Sequence, residues 1–171
     1  SPRRQDHRRH GHRPAPRPRA TAAPPRLVEA PLVLGRDPGR VKVWSCFATI
    51  GDHIPEPLRL RKSVGRLATY LQGYGDLMIT INDWDPAVLR RFRDDPVVQS
   101  IPGSIDGLAS TAQLEHIAGL FPDEWLAPAA AGTPEQCADA IRNQLDIGCD
   151  GVIMHGATPQ ELAPIVTAYA R

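Results

Sequence analysis

Residues 132–171, GTPEQCADAIRNQLDIGCDGVIMHGATPQELAPIVTAYAR, constrain the fold more than any other part of the chain. They spell helix, tight turn, short apolar strand, loop and second helix. Thr133 suits an N-cap and Pro134 the first helical position, and Gln136 stands three residues after the cap, so the three make a capping box. Thr158, Pro159 and Glu161 repeat that pattern. Between them Cys137, Ala138, Ile141 and Leu145 recur at helical spacing as one buried stripe, and Gly148 stands where a helix commonly ends. Gly151, Val152, Ile153 and Met154 follow with no polar alternation. A strand so short and so uniformly apolar is expected to be covered on both faces, as parallel strands of α/β proteins are. The flanking glycines and the short length favour a strand over a buried helical segment.

At 171 residues the chain fits one ordinary domain whose core needs no staples. The formal charge of +1 sums two unlike parts: residues 1–26 hold eight Arg against Asp6, about +7, which leaves about −6 (+1 minus +7) for residues 27–171. Cys46, Cys137 and Cys149 are odd in number and lie in apolar stretches, a pattern that fits reduced thiols of a cytoplasmic protein better than a disulfide framework. No apolar run approaches the roughly 18 residues of a membrane span.

Residues 1–34 open as SPRRQDHRRHGHRPAPRPRATAAPPR, rich in Arg, Pro, His and Ala and without apolar periodicity, so a disordered tail is expected. A basic arm can bind nucleic acid through phosphates, but this one has no aromatic residue to stack on bases, which argues against that role. His7, His10 and His12 lack a carboxylate or Cys partner to complete a metal site. A twin-arginine export signal needs an apolar core, and residues 27–34 are broken by Glu29 and Pro31. Arg, Pro, Ala, Gly and His are also what GC-rich codons supply in any frame, so a spurious or out-of-frame translation of residues 1–34 is the preferred reading. The nucleotide sequence upstream of Ser1 tests it.

From Gly35 the text changes. Residues 35–40, GRDPGR, read as a turn, and residues 41–50, VKVWSCFATI, as a strand apolar on both faces after Lys42, again implying burial on both sides. Residues 51–57 end that strand and open a helix expected to run to about Gln72. Leu60, Val64, Leu67, Ala68 and Leu71 form its buried stripe, Arg59, Arg61, Lys62 and Arg66 its wetter side, and Gly73 its stop. Residues 76–131 read as a helical insertion. Asp85 and Pro86 start one short helix, Ser110 with Gln113 offers a capping box for another, and Trp84, Trp125 and His116 are read as packing residues. The order is strand, helix, helical insertion, helix, strand, helix. Right-handed crossovers place the two strands parallel and adjacent. Two parallel strands cannot make a fold alone, so more strands are needed beside them.

The runs WSCFATIGDHIPEPLRLRKSVGRLATYLQGYGDL and GTPEQCADAIRNQLDIGCDGVIMHG resemble the C-terminal part of the luciferase-like oxidoreductases, in particular an actinobacterial branch that uses the deazaflavin coenzyme F420. The resemblance covers about residues 35–171. It implies an α/β fold that is the C-terminal portion of a (β/α)8 TIM barrel, with residues 41–50 as strand seven and residues 151–155 as strand eight, each followed by its helices. It further implies an oxidoreductase or monooxygenase acting on a small organic substrate with F420, or alternatively FMN, at the carboxyl mouth of the barrel. Residues just after the two strands reach that mouth. They are Gly51, Asp52 and His53, and then His155, Gly156 and Ala157. His155, and more weakly His53, are the catalytic candidates, since an imidazole at a strand end can donate to a flavin carbonyl or a substrate oxygen. His155 and Gly156 are the cofactor-binding candidates, with Thr158 read first as an N-cap. Strands one to six of the family are absent from this sequence. The competing reading is therefore a non-catalytic remnant or association module, self-associating through exposed barrel edges.

Overall fold

The computed structural model describes Asp37, residues 40–127 and residues 129–171. The Arg/Pro-rich tail, its histidines and most of the turn at residues 35–40 lie outside the described residues. Within that turn Arg40 N donates to Asp37 O at 3.1 Å. The elements are β1 (Trp44–Gly51), α1 (Glu56–Leu60), a π-helical turn (Arg61–Gly65), α2 (Arg66–Asn82), α3 (Pro86–Asp94), α4 (Pro96–Gln99), α5 (Ile105–Leu108), α6 (Thr111–Ala118), α7 (Asp123–Leu126), β2 (Ala130–Gly132), α8 (Pro134–Asp146), β3 (Gly151–His155) and α9 (Pro159–Tyr169). This is a mixed α/β chain, mostly helical, around a small parallel sheet of order β2-β1-β3. Among the described residues no helix is long and apolar enough to cross a membrane.

The two strands read from the sequence are parallel neighbours, with Trp44 opposite Gly151 and Ala48 opposite His155. The expected strand at residues 41–50 begins later, at Trp44, because a side chain takes over the ladder. Val43 N donates to Asp150 Oδ2 at 2.9 Å, and Asp150 N donates back to Val43 O at 2.8 Å. Lys42 Nζ meets the other carboxylate oxygen at 2.8 Å, and this ammonium, followed by the Val43 N–H, holds the Asp150 carboxyl below its ordinary range. A third strand, β2, was not foreseen. It pairs with β1 over Thr49, Ile50 and Gly51 only, and its Ala-Ala-Gly text carries none of the β-branched residues that mark a strand.

All three capping boxes form: Ser110 with Gln113, Thr133 with Gln136 and Thr158 with Glu161. Gly148 closes α8 as expected. At φ +104° it lets Gly148 N reach Leu145 O and Cys149 N reach Gln144 O, the paired bonds of a Schellman motif. Gly73 is not a stop. The helix runs on to Asn82, kinked at Tyr74 (φ −130°, ψ 19°) between two glycines, and ends at Asp83 in the left-handed region. The reason lies at Gly75, where an added Cβ would sit 2.7 Å from Leu89 Cδ1; the glycine lets α3 close against α2.

Two cores result. The larger lies within the helical layer, where Leu71, Phe92, Ile105, Leu114 and Ile117 are fully buried and Trp125 stacks on Trp84 with centroids 4.2 Å apart. The smaller lies between the rear face of the sheet and α8 and α9, with Ala130, Cys137, Ile141 and Ile165 packed by Phe47, Val152 and Met154. The expectation that both faces of both strands are covered fails on the front face. Ile50 is buried there, but Trp44 is 60% exposed and Ile153 48%, and Cys46 is exposed as well. The helical layer reaches only the carboxyl half of that face, so its amino half has no cover among the described residues.

Candidate functional site

Because the three strands are parallel, their carboxyl ends share one edge of the sheet. On the front face, Cys46 and Ala48 of β1 and His155 of β3 form the floor of a groove of about 330 Å³. Its walls come from the helical layer: Lys62 from the π-helical turn, Arg66 and Tyr70 from α2, and the Trp84–Trp125 stack. A π turn inserts one extra residue into a helix, and such turns occur often at functional sites. Here it lies where Lys62 and Ser63 enter the groove while Val64 remains in the core.

His155 is the last residue of β3 and is partly buried. Among the described residues its imidazole has no hydrogen-bond partner, so both ring nitrogens remain available to a ligand. Gly156 follows at φ +85°, and its carbonyl accepts from Lys62 Nζ at 2.8 Å. The same ammonium pairs with Glu161 Oε2 at 3.1 Å, with both side chains about one-fifth exposed. Glu161 is also the acceptor of the capping box: Thr158 N donates to it at 2.6 Å, and that bond first, with Lys62 adding to it, holds its carboxyl below the ordinary glutamate range. Thr158 is therefore an N-cap, as expected. The α9 N-terminus, the end of β3 and the π turn are tied together by one cation.

The structure does not bring His53 into this groove. Its exposed ring lies over Gly51, where a Cβ would fall on it, and its Nε2 donates to Glu161 O at 2.7 Å. That bond staples the loop after β1 to α9. Asp52 continues the sheet, its N–H donating to Gly132 O at 2.7 Å. Behind the sheet, Cys137 is fully buried with Sγ 3.5 Å from Ala130 O, and burial, helped by the Asp52 charge, pushes its thiol up to about 11. Cys137 is thus a packing thiol rather than a nucleophile. His116 donates to Asp95 Oδ2 at 2.9 Å, far along the helical layer, in the structural role expected.

Sequence reasoning missed Lys62 and Arg66 as groove residues. Their spacing of four puts them on one helical face, but the insertion that turns that face toward the sheet has no sequence signature. Arg66 is shared, 3.5 Å from Asp106 Oδ2 and 5.7 Å over the Tyr70 ring, whereas Arg61 is committed to the carbonyls of Asp106 and Ala109 at 2.7 and 2.9 Å. Trp84 and Trp125, read as packing residues, do pack on each other and also form one end of the groove. Comparison with known proteins found no matching family model, no matching curated protein and no matching solved structure.

Proposed function

We propose that the chain is the C-terminal part of a luciferase-like oxidoreductase, with β1 and β3 as strands seven and eight of a (β/α)8 barrel and the front groove as one wall of its F420 site, or alternatively its FMN site. The observation that carries this reading is the place of the His155 imidazole, at a strand's carboxyl end on the floor of the groove and without a hydrogen-bond partner among the described residues. The residues present fit a planar ring with a polar edge on this one wall. His155 is placed to donate to a ring carbonyl or to a substrate oxygen. Gly156 lets the backbone come close, and the Trp84–Trp125 stack closes one end against water. Lys62 and Arg66 bring two cationic heads to the rim, each already paired, with Glu161 and Asp106, so an acidic arm of the cofactor would bind there by sharing those partners. When bound, the cofactor supplies hydride transfer or oxygen activation. The three free cysteines fit a cytoplasmic setting.

One departure from a barrel bears on this reading. β2 holds the place beside β1 that a sixth strand would take, but only over Thr49–Gly51, which leaves residues 44–48 without a strand on that side among the described residues. This, with the uncovered Trp44 and Ile153, favours the second reading, a non-catalytic association module. Titration of the full chain with F420 and with FMN, followed by ring absorbance and fluorescence, separates the two. The first reading expects a saturable change that weakens at least tenfold in His155→Ala. No saturable change with either cofactor sinks it for this chain.

A further inference from the structure

The β1–β3 ladder ends at the pair Ala48 with His155, and the next fixed point along the chain is the Thr158 cap of α9. Between them Gly156 turns the backbone at φ +85°. Among the described residues the one hydrogen bond to Gly156 or Ala157 runs from Lys62 Nζ to Gly156 O, at 2.8 Å. The His155 imidazole, without a hydrogen-bond partner there, takes its direction from this stretch of backbone and from the groove walls. The seat of the ammonium is built without it. Thr158 N donates to Glu161 Oε2 at 2.6 Å and His53 Nε2 to Glu161 O at 2.7 Å, so the carboxylate keeps its place by other bonds. Lys62 itself stands on a turn fixed from the opposite side. Arg61, its neighbour, donates to the carbonyls of Asp106 and Ala109, and Gly65, where an added Cβ would lie 3.2 Å from Asp106 Cα, lets α5 close on the same turn. Two consecutive side chains thus fasten opposite ways, Arg61 to the helical layer and Lys62 to the end of β3.

We infer that Lys62 is a positioning residue for His155: by holding the left-handed turn at Gly156 it fixes the end of β3, and with it the direction of the imidazole. Glycine has the widest backbone freedom of any residue, so a turn that depends on one needs an outside tie to keep a single shape. An ammonium suits the task. Two of its three N–H groups reach the Gly156 carbonyl and the Glu161 carboxylate together, at 2.8 and 3.1 Å. A charged donor also makes the bond to Gly156 stronger than a neutral one would. Through Arg61 the same tie joins the imidazole to the helical layer. The use of His155 rests on the cofactor reading, whereas the tie that orders it does not.

NMR relaxation of the Gly156 and Ala157 amides and of the His155 ring C–H, on the full chain without cofactor, tests the proposal. In the unsubstituted chain these groups should be as ordered as the sheet, with order parameters near about 0.85, and Lys62→Met should lower them below about 0.6 while Leu114 and the α9 amides stay unchanged. Lys62→Arg, which keeps a charged donor, should restore most of the order. If Lys62→Met does not fold, Glu161→Gln takes its place: it leaves an acceptor for Thr158 N, removes the charge that seats the ammonium, and should loosen the same three groups. Groups that stay ordered in these variants, or that are already loose in the unsubstituted chain, overturn the proposal. So does a loosening that spreads equally through the helical layer. Titration with F420 and with FMN is the second arm. Where the unsubstituted chain binds either, Lys62→Met should weaken binding at least about fivefold and should cost nothing more in a His155→Ala background. Additive losses would make Lys62 a direct contact and overturn the proposal. No binding by the unsubstituted chain sinks the cofactor reading alone, and the order measurements then decide the role of Lys62.

Discussion

The helical layer and the sheet of this molecule are finished to different degrees. Between Glu56 and Leu126 short helices enclose Leu71, Phe92, Ile105, Leu114 and Ile117 without residual exposure, and each helix packs on neighbours close in sequence. The sheet has one well-packed face, against α8 and α9, and one that the described residues cover only at its carboxyl end. A helix satisfies its own backbone and needs partners for a single stripe, whereas a strand needs partners at two edges and two faces. The described residues meet the first demand and part of the second. The candidate site lies where the finished layer overlaps the unfinished one, and its floor is open for that reason.

Substitutions sharpen the contrast. Phe92→Ala should cost most, about 3–5 kcal/mol, because it opens a cavity in the closed core. Urea unfolding measures it, and a cost below that of Ile165→Ala in the sheet core would reverse the ranking of the two regions. Gly75→Ala should cost about 1–3 kcal/mol by pressing a methyl on Leu89 and separating α2 from α3. Were Gly73 the functional helix stop, the loss would appear at Gly73→Ala instead; that position has open space around it, and the change there should be neutral or stabilising.

In the sheet the sign should invert. Thr49 is fully buried in β1 and its Oγ1 has no partner among the described residues, so Thr49→Val should raise stability by about 1 kcal/mol in the same denaturation assay. A loss would mean that the hydroxyl has a partner in solution. The smallest effect concerns acid. The His116 imidazole, ahead of the Val98 and Val97 N–H groups, lowers the Asp95 carboxyl. A carboxyl lowered in the folded state contributes stability that is present above its unfolded value, near 4, and lost as pH falls through the folded one. Asp95→Asn keeps the cap acceptor of α4 and should flatten that part of the acid slope, measured as the urea midpoint against pH. Unchanged slopes would show that Asp95 does not take part in acid unfolding.

What could be read from the sequence was local. The capping boxes at Ser110, Thr133 and Thr158 and the Gly148 stop formed as their spacing required, since each depends on residues within a turn of one another. The parallel pairing of β1 with β3 followed from strand order and crossover handedness. Gly73 misled because a glycine near a helix end looks the same whether it stops the helix or stands beside a glycine that admits a neighbour. β2 was missed because Ala130, Ala131 and Gly132 have no strand character without β1 beside them. The coverage of Trp44 and Ile153 depends on what packs over them, which their own apolar text does not specify. At the site, the placement of His155 at a strand end was legible from order alone, but Lys62 reached the groove through an inserted residue that leaves no mark in the composition.

The clamp between Val43 and Asp150 spans 107 residues. During synthesis at about 5–20 residues per second, β1 emerges roughly 5–20 s before the residue that fastens its start. Throughout that interval the helical layer can close on its own short-range contacts, while WSCFATIG hangs beside it unpaired. The nascent chain therefore passes through a stage in which its most adhesive segment is already out and its lock is not. A chaperone that binds extended apolar peptide has its window for this protein there, and a stall late in translation should yield aggregates seeded from β1 rather than from the helices.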